Sequence, residues 1–97
     1  MKDYPVRFTL EASRLIAKLP PETKKIIRSV IDDLRKEPYR GLELTGELTG
    51  YRSLKARRYR IIYRFNDEEP LLEIHLVGHR RDVYETLRAL LGPFVKK

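Results

Sequence analysis

Cationic side chains are concentrated between Tyr51 and Arg64 of this 97-residue chain. Six of these fourteen residues are Lys or Arg and none is acidic. The six are Arg52, Lys55, Arg57, Arg58, Arg60 and Arg64. A second polar group follows nearer the C-terminus and comprises His79, Arg80, Arg81 and Tyr84. Guanidinium and ammonium groups bind a phosphodiester and stabilise the negative charge that develops when it is cleaved.

An imidazole and a phenol beside these cations would serve the proton transfers of such a reaction. RNA supplies its own nucleophile in the 2′-hydroxyl, so its cleavage requires neither a protein nucleophile nor a metal. From spacing alone, two interpretations of His79 are equally supported, a simple turn residue and a pH-responsive proton donor. Tyr84 shares a helical spacing with Leu87 and Leu91, which on its own favours packing in the core.

Other kinds of reactive site find little support. The chain has no cysteine, which removes disulfides, thiolate chemistry and cysteine-based metal sites. Its two histidines and scattered carboxylates lack the spacing of metal ligands. Gly46 and Gly50 are not followed by the Lys and Ser/Thr pair of a phosphate-binding loop. We therefore predict a site without a metal or a cofactor.

The composition limits partners and location. A formal net charge of +7 and a pI near 9.9 favour nucleic acid, an acidic protein or an anionic membrane over a merely soluble basic surface. No apolar run approaches the roughly 20 residues that span a bilayer, and the first ten residues lack the apolar core of a signal peptide. We expect one cytoplasmic domain over residues 1–97 that does not bind membranes.

Hydrophobic spacing predicts the elements that position the cationic residues. Alternating apolar residues predict a strand at about residues 4–10. Apolar stripes at helical spacing predict helices at about residues 12–19 and 22–37, each followed by a proline that ends it. Residues 39–50 contain three glycines and no sustained period, which is typical of a connecting loop.

From Leu54 the alternation returns and predicts two strands joined near residues 57–58, then a further strand that ends at Gly78. On the central strand one set of side chains should face the core, namely Tyr59, Ile61, Tyr63 and Phe65. Arg60 and Arg64 then point to the opposite face. A final helix follows.

We expect this final helix to be capped by Asp82 and closed by Gly92 and Pro93. The predicted class is α+β, in which the N-terminal strand and a helical hairpin pack on an antiparallel sheet of about four strands. In this arrangement one face of the sheet is covered. The other face, which carries Arg60 and Arg64, is largely open.

Short motifs spread over nearly the whole chain are similar to those of one protein family. They are Ala17–Pro20, Tyr39–Gly41, Leu44–Gly46, Arg58–Arg64 and Val77–Tyr84. In order and spacing they resemble the RelE/ParE superfamily of toxins of type II toxin–antitoxin systems, and more closely its RelE-like mRNA interferase branch. The resemblance implies the RelE-like fold. It leaves the activity open, because RelE-like members cleave mRNA in the ribosomal A site whereas ParE-like members inhibit DNA gyrase.

The RelE-like pattern also implies which residues form the site. By resemblance the catalytic residues are Lys55, Arg60, Arg80 and Tyr84. The two arginines would stabilise transition-state charge, Lys55 would bind phosphate or transfer a proton, and Tyr84 would orient the 2′-hydroxyl or stack on a base. The residues expected to contact RNA are Arg52, Arg57, Arg58, Arg64, His79 and Arg81.

One assignment depends on the segment between Arg52 and Tyr59, which is shorter than in the best-known member of the family. The basic positions of the pattern therefore fall on Ser53, Lys55 or Arg57. We place the lysine role at Lys55, because both of its neighbours in sequence have the inward-facing pattern. His79 stands where a lysine can occur.

The resemblance implies a ribosome-dependent endoribonuclease toxin that cleaves mRNA through attack of the 2′-hydroxyl and so inhibits translation. Its expected partners are mRNA, the ribosomal A site and a cognate antitoxin, with operator DNA bound only by the toxin–antitoxin complex. One alternative is a ParE-like gyrase inhibitor, against which Tyr84 argues. The other is a non-catalytic RNA-binding member, for which the basic face would suffice.

Overall fold

The computed structural model of the protein describes residues 3–91, apart from the side chains of Arg80 and Arg81. Its elements are, in order, β1 (Val6–Phe8), α1 (Leu10–Ala17), α2 (Pro21–Lys36), β2 (Leu42–Glu43), β3 (Arg52–Ala56), β4 (Tyr59–Asn66), β5 (Leu71–His79) and α3 (Arg80–Leu91). A single 3₁₀ turn, Gly46–Leu48, lies between β2 and β3. Within residues 3–91, no helix is both long enough and apolar enough to cross a membrane.

Local signals set the helix ends. The side-chain oxygen of Thr9 accepts a hydrogen bond from the backbone N–H of Ala12 at 3.1 Å, which caps α1. Pro21 lies in the first turn of α2, where its missing N–H costs no hydrogen bond. The helix ends shortly before Pro38, because proline cannot continue it. Both predicted N-terminal helices are therefore present.

The C-terminal helix begins two residues before the predicted cap. It starts at Arg80, so Asp82 lies in its first turn. There its carboxylate still interacts favourably with the positive end of the helix dipole. The predicted end at Gly92 and Pro93 lies outside the described residues.

The five strands form one sheet in the order β1-β5-β4-β3-β2. β1 pairs with β5 in parallel, and the other neighbours are antiparallel. The α+β class is confirmed, with the first strand added to an antiparallel meander as predicted. The fifth strand, β2, has only two residues and comes from the segment that was expected to be a loop.

One hydrophobic core lies between the sheet and the first two helices. Its fully buried members include Ile27, Leu34, Ile61, Tyr63 and Ile74. The phenol of Tyr63 accepts a hydrogen bond from the N–H of Gly41 and donates one to the carbonyl of Pro38, both at 2.8 Å. These two bonds fix the chain that leads from α2 to β2.

A second core lies on the opposite face of the sheet, under α3. Ile62 and Leu76 of the sheet pack there against Val83 and Leu87. The expectation that this face is largely open is therefore wrong where α3 lies, because apolar side chains on both elements are removed from water by the contact. Further along β4, Arg64 is exposed as predicted.

Candidate active site

The β3–β4 hairpin brings Lys55 and Arg60 together. The two residues are direct partners across the antiparallel strands. Such partners lie on one face, with about 4.5–5.5 Å between their Cβ atoms. The turn between the strands has only two residues, and Arg57 adopts a φ of 59° in it. That left-handed conformation is uncommon for a residue with a side chain, and it belongs to the tight turns that keep a hairpin in register.

Cations surround a pocket at this hairpin. The pocket has a volume of about 290 Å³ and is lined by Lys55, Arg57, Arg58, Tyr59 and Arg60. Among residues 3–91, no carboxylate lies within 4.0 Å of any of these four cations. Like charges that face one another repel. The cationic pocket, as we call it, therefore favours a bound anion.

Arg60 carries a hydrogen-bond donor that the rest of the described structure does not use. Its Nε atom is buried and has no hydrogen-bond partner within residues 3–91. A buried donor without a partner costs roughly 1–3 kcal/mol. Buried donors are normally paired, so an exception requires an explanation such as a ligand. A phosphate oxygen is an acceptor whose geometry suits a guanidinium group.

A hydrogen bond places Tyr84 on the same face as this pair. Tyr84 lies on α3, and its phenolic oxygen is 2.9 Å from Oγ of Ser53 on β3. Ser53 is buried, and its cross-strand partner is Ile62 of the second core. Because side chains two apart on a strand share a face, Ser53 and Lys55 point the same way. The phenol is thereby held on the face of the sheet that carries the Lys55–Arg60 pair.

His79 stacks on Tyr59 at the end of the sheet. The two residues are cross-strand partners in β4 and β5. Their ring centroids are 4.7 Å apart and the ring planes differ by 25°. Tyr59 is half-buried, whereas His79 is exposed. The imidazole is thus held by stacking and remains accessible, on the face of the sheet opposite Lys55 and Arg60.

Arg52 lies apart from the cluster, because on β3 it points to the face opposite Ser53 and Lys55. Its guanidinium donates hydrogen bonds to the carbonyls of Gly41 at 2.8 Å and Tyr39 at 3.3 Å. It also lies 5.0 Å from the centroid of the Tyr39 ring and 3.4 Å from a carboxylate oxygen of Glu43. These contacts give Arg52 a structural role in the loop before β3. Its predicted contact with RNA stays a prediction.

Arg64 shares a face with Arg60 but lies four residues further along β4. Its guanidinium carbon is 5.3 Å from the centroid of the Tyr51 ring. At about 3.4 Å per residue of strand, the two arginines are roughly 14 Å apart along β4. Arg64 is therefore separate from the cationic pocket, and a contact with RNA there would involve a different nucleotide.

Arg80 and Arg81 occupy the first two positions of α3, directly after His79. Their side chains are not among those that the structure describes. The predicted roles of Arg80 in catalysis and of Arg81 in RNA binding therefore stay predictions. Within residues 3–91, no three His, Asp or Glu side chains form a group that could hold a metal ion.

The partner of Tyr84 is the feature that sequence reasoning missed. Ser53 entered only as one of three positions for a basic role, and its buried hydroxyl instead contacts the phenol. The alternation that places Leu54 and Ala56 on the inward face also places Ser53 on the same face as Lys55. A serine among the cations of β3 was the available signal, but nothing in the spacing identified Tyr84 as its partner.

Comparison with known proteins identifies the family. A family model described as "ParE toxin of type II toxin-antitoxin system, parDE" matches residues 6–84. Toxin RelG of Mycobacterium tuberculosis is 42% identical over 86 residues, which cover 84% of this chain and 95% of that protein. The fold and these matches define a small basic toxin. The chain belongs to the RelE/ParE superfamily of toxins of type II toxin–antitoxin systems, as the resemblance implied.

Solved structures agree with this assignment. The toxin–antitoxin complex RelBE2 of M. tuberculosis contains a chain with 40% identity and a TM-score of 0.74, and the match covers 81% of this chain and 100% of that chain. A mutant of Escherichia coli toxin RelE in the free state matches with a TM-score of 0.75 at 20% identity, over 92% of this chain and 96% of that chain. The second match shows that the RelE-like fold is shared.

Proposed function

We propose that this toxin is a metal-independent endoribonuclease that cleaves mRNA on the ribosome and so inhibits translation. The observation that carries the proposal is Arg60, a half-buried cation opposite Lys55 whose Nε has no hydrogen-bond partner among the residues that the structure describes. Such a pair costs stability on its own and gains it when a phosphate is bound. The proximity of Tyr84 adds a group that contacts a sugar hydroxyl.

The proposed reaction is transesterification within the RNA strand. The 2′-oxygen attacks phosphorus and loses its proton, while the bond from phosphorus to the 5′-oxygen breaks and that oxygen gains a proton. The products are a 2′,3′-cyclic phosphate and a 5′-hydroxyl. Arg60 and Arg80 stabilise the extra charge on the equatorial oxygens, and Lys55 binds the phosphate or transfers a proton. Tyr84, held by Ser53, orients the 2′-hydroxyl.

A cognate antitoxin is the proposed inhibitor. The solved relative with 40% identity is part of a toxin–antitoxin complex. The net charge of +7 and the cluster of cations at the hairpin favour an acidic segment that covers the cationic pocket. We place the toxin in the cytoplasm, where its substrate is, with operator DNA bound only through the complex.

Gyrase inhibition is the second candidate, because the matching family model is named for ParE. The two candidates differ in what the cationic pocket must do. Inhibition of gyrase requires a contact surface, whereas RNA cleavage requires Arg60 and Tyr84 at one phosphate. Substitutions of these two residues therefore separate the candidates.

The test is tightly controlled expression of the wild type, Arg60→Ala, Arg80→Ala and Tyr84→Phe, followed by mapping of mRNA 5′ ends and of DNA breaks. We expect codon-phased mRNA cuts that fall about 10²–10³-fold in Arg60→Ala, as when one transition-state donor is lost. Arg14→Ala is the control, since this exposed arginine lies on α1. DNA breaks without mRNA cuts would favour gyrase inhibition. Growth inhibition that survives all three changes would refute the site.

A further inference from the structure

A second pocket shares a wall with the cationic pocket. It has a volume of about 300 Å³ and lies between α1, the end of β5 and α3. Tyr59 lines both pockets. Ligand pockets in proteins range from about 300 to 1,000 Å³. A pocket at the lower limit suits one flat group rather than a whole nucleotide.

The lining of this pocket is apolar with a few polar groups. Leu15 of α1 and Leu19, which follows the end of α1, line the pocket together with Val83 of α3. Lys18 and Thr86 add an ammonium and a hydroxyl, and Asp82 adds a carboxylate. Apolar walls with a small number of hydrogen-bonding groups are typical of sites that bind and orient a small ligand.

The stacked pair of Tyr59 and His79 forms part of this wall. His79 is exposed although its ring is held against Tyr59 at 4.7 Å. Single-stranded RNA is recognised by stacking of its unpaired bases on aromatic and histidine side chains, with hydrogen bonds to the base edges. An immobilised ring therefore offers a stacking surface at little further entropic cost.

We propose that this pocket binds an unpaired nucleobase of the RNA whose phosphate occupies the cationic pocket. The inference rests on the proposed function, and Tyr59, which lines both pockets, connects the site for the base to the site for the phosphate. The carboxylate of Asp82 accepts hydrogen bonds from an exocyclic amino group. The pocket therefore prefers adenine, cytosine or guanine over uracil, which has no such group. Base preference at the cut site originates here.

The first test is NMR titration of the wild-type toxin with each of the four nucleoside 5′-monophosphates. We expect saturable shifts at Leu19, Val83 and Thr86, with UMP the weakest ligand. His79→Ala should weaken binding about tenfold, as expected for the loss of one stacking contact. Asp82→Asn should remove the discrimination against UMP. Asp33→Asn, the matched change at an exposed position of α2, should do neither.

Two results would overturn the inference. In one, nucleotide shifts are confined to Lys55 and Arg60, so that only the phosphate is bound. In the other, the pocket responds to the cognate antitoxin and to no nucleotide, so that it belongs to a protein interface. Neither result requires cleavage, so the pocket is tested even if the proposed function fails.

The second test is the sequence at the cut sites. Asp82→Asn should change which bases flank the cuts while cleavage continues, whereas Arg60→Ala should remove the cuts at every sequence. An unchanged preference in Asp82→Asn would refute the pocket and leave the nuclease intact. Absence of cuts in the wild type would refute the nuclease, and the titration would then decide the pocket.

Discussion

Ser53 and Tyr84 join the sheet to the C-terminal helix through a hydrogen bond of 2.9 Å between their side-chain oxygens. Ser53 is buried on β3 and Tyr84 is half-buried on α3. The second core sets where α3 lies, but the hydrogen bond sets where the phenol points. Tyr84 therefore packs in a core and also carries a polar group toward the Lys55–Arg60 pair.

We predict that Ser53→Ala slows RNA cleavage without weakening RNA binding. The phenol loses the partner that orients it, and one net hydrogen bond contributes about 1 kcal/mol to the unfolding free energy. If the same energy is lost from the transition state, kcat falls roughly fivefold to tenfold. The measurement is kcat and KM on a defined RNA, together with urea denaturation.

A double-mutant cycle with Tyr84→Phe is the control. The cycle should show coupling in the unfolding free energy and in kcat, because each change removes the same hydrogen bond. Coupling in the unfolding free energy alone would mean that the bond is only structural and does not orient Tyr84 for cleavage.

Gly41→Ala is predicted to destabilise the fold. A Cβ atom at residue 41 would lie 2.6 Å from the hydroxyl oxygen of Tyr63 and 2.8 Å from a carbon of its ring. Tyr63 is fully buried and cannot move aside, so the overpacking should cost about 1–3 kcal/mol. Denaturation by urea measures the loss. In a Tyr63→Phe background the cost should be smaller, since the oxygen is gone. An equal cost in both backgrounds would contradict this explanation.

The sequence predicted the part of the fold that follows from short-range periodicity. Alternation on β4 correctly separated Tyr63, which is buried, from Arg64, which is exposed. It did not show what would lie over Ile62, because a period of two identifies a face but not its neighbour. The packing of α3 there depends on contacts between segments that are far apart in sequence.

For the candidate site, too, the sequence predicted what depends on residues close together in the chain, and it did not predict contacts between distant segments. Lys55 and Arg60, both assigned to the site by resemblance, are cross-strand partners because the turn predicted near residues 57–58 has only two residues. Arg52 looked like another free cation, since its partners are mainly backbone carbonyls that composition does not reveal. Ser53 was ambiguous because a hydrogen bond between distant elements leaves no periodic signal.

We predict that the unfolding free energy falls as the pH drops from 7.5 to 5.5, and that His75→Gln reduces this fall. Burial lowers the pKa of His75, although contact with Glu73 opposes the shift, and the nearby guanidinium groups of Arg7 and Arg64 lower it further. As the pH falls through about 6.5, His75 is therefore protonated in the unfolded chain, whereas in the folded chain it stays neutral to a lower pH. Stability from the neutral imidazole is present above that pH and is lost below it. Urea denaturation across this range measures the slope.

His79→Gln is the matched control, because it changes the chain's other histidine at an exposed position. A separate fall in stability below about pH 4.5 should persist in both variants. It arises because the hydrogen bond from Arg7 holds the pKa of Glu73 below its usual value, so that folding disfavours protonation of this carboxylate. A slope above pH 5.5 that is unchanged in His75→Gln would exclude His75 as its source.

Arg60→Met should separate stability from activity. The thioether side chain fills similar space but removes the buried Nε donor and the repulsion with Lys55, so the unfolding free energy should stay the same or rise by about 1 kcal/mol. Cleavage should fall about 10²–10³-fold, because the group that stabilises transition-state charge is gone. Arg64→Met is the matched control and should lose stability slightly, since its contact with Tyr51 is favourable. A marked loss of stability in Arg60→Met would instead mean that Arg60 serves the fold, and that its unpaired nitrogen is not kept for a phosphate.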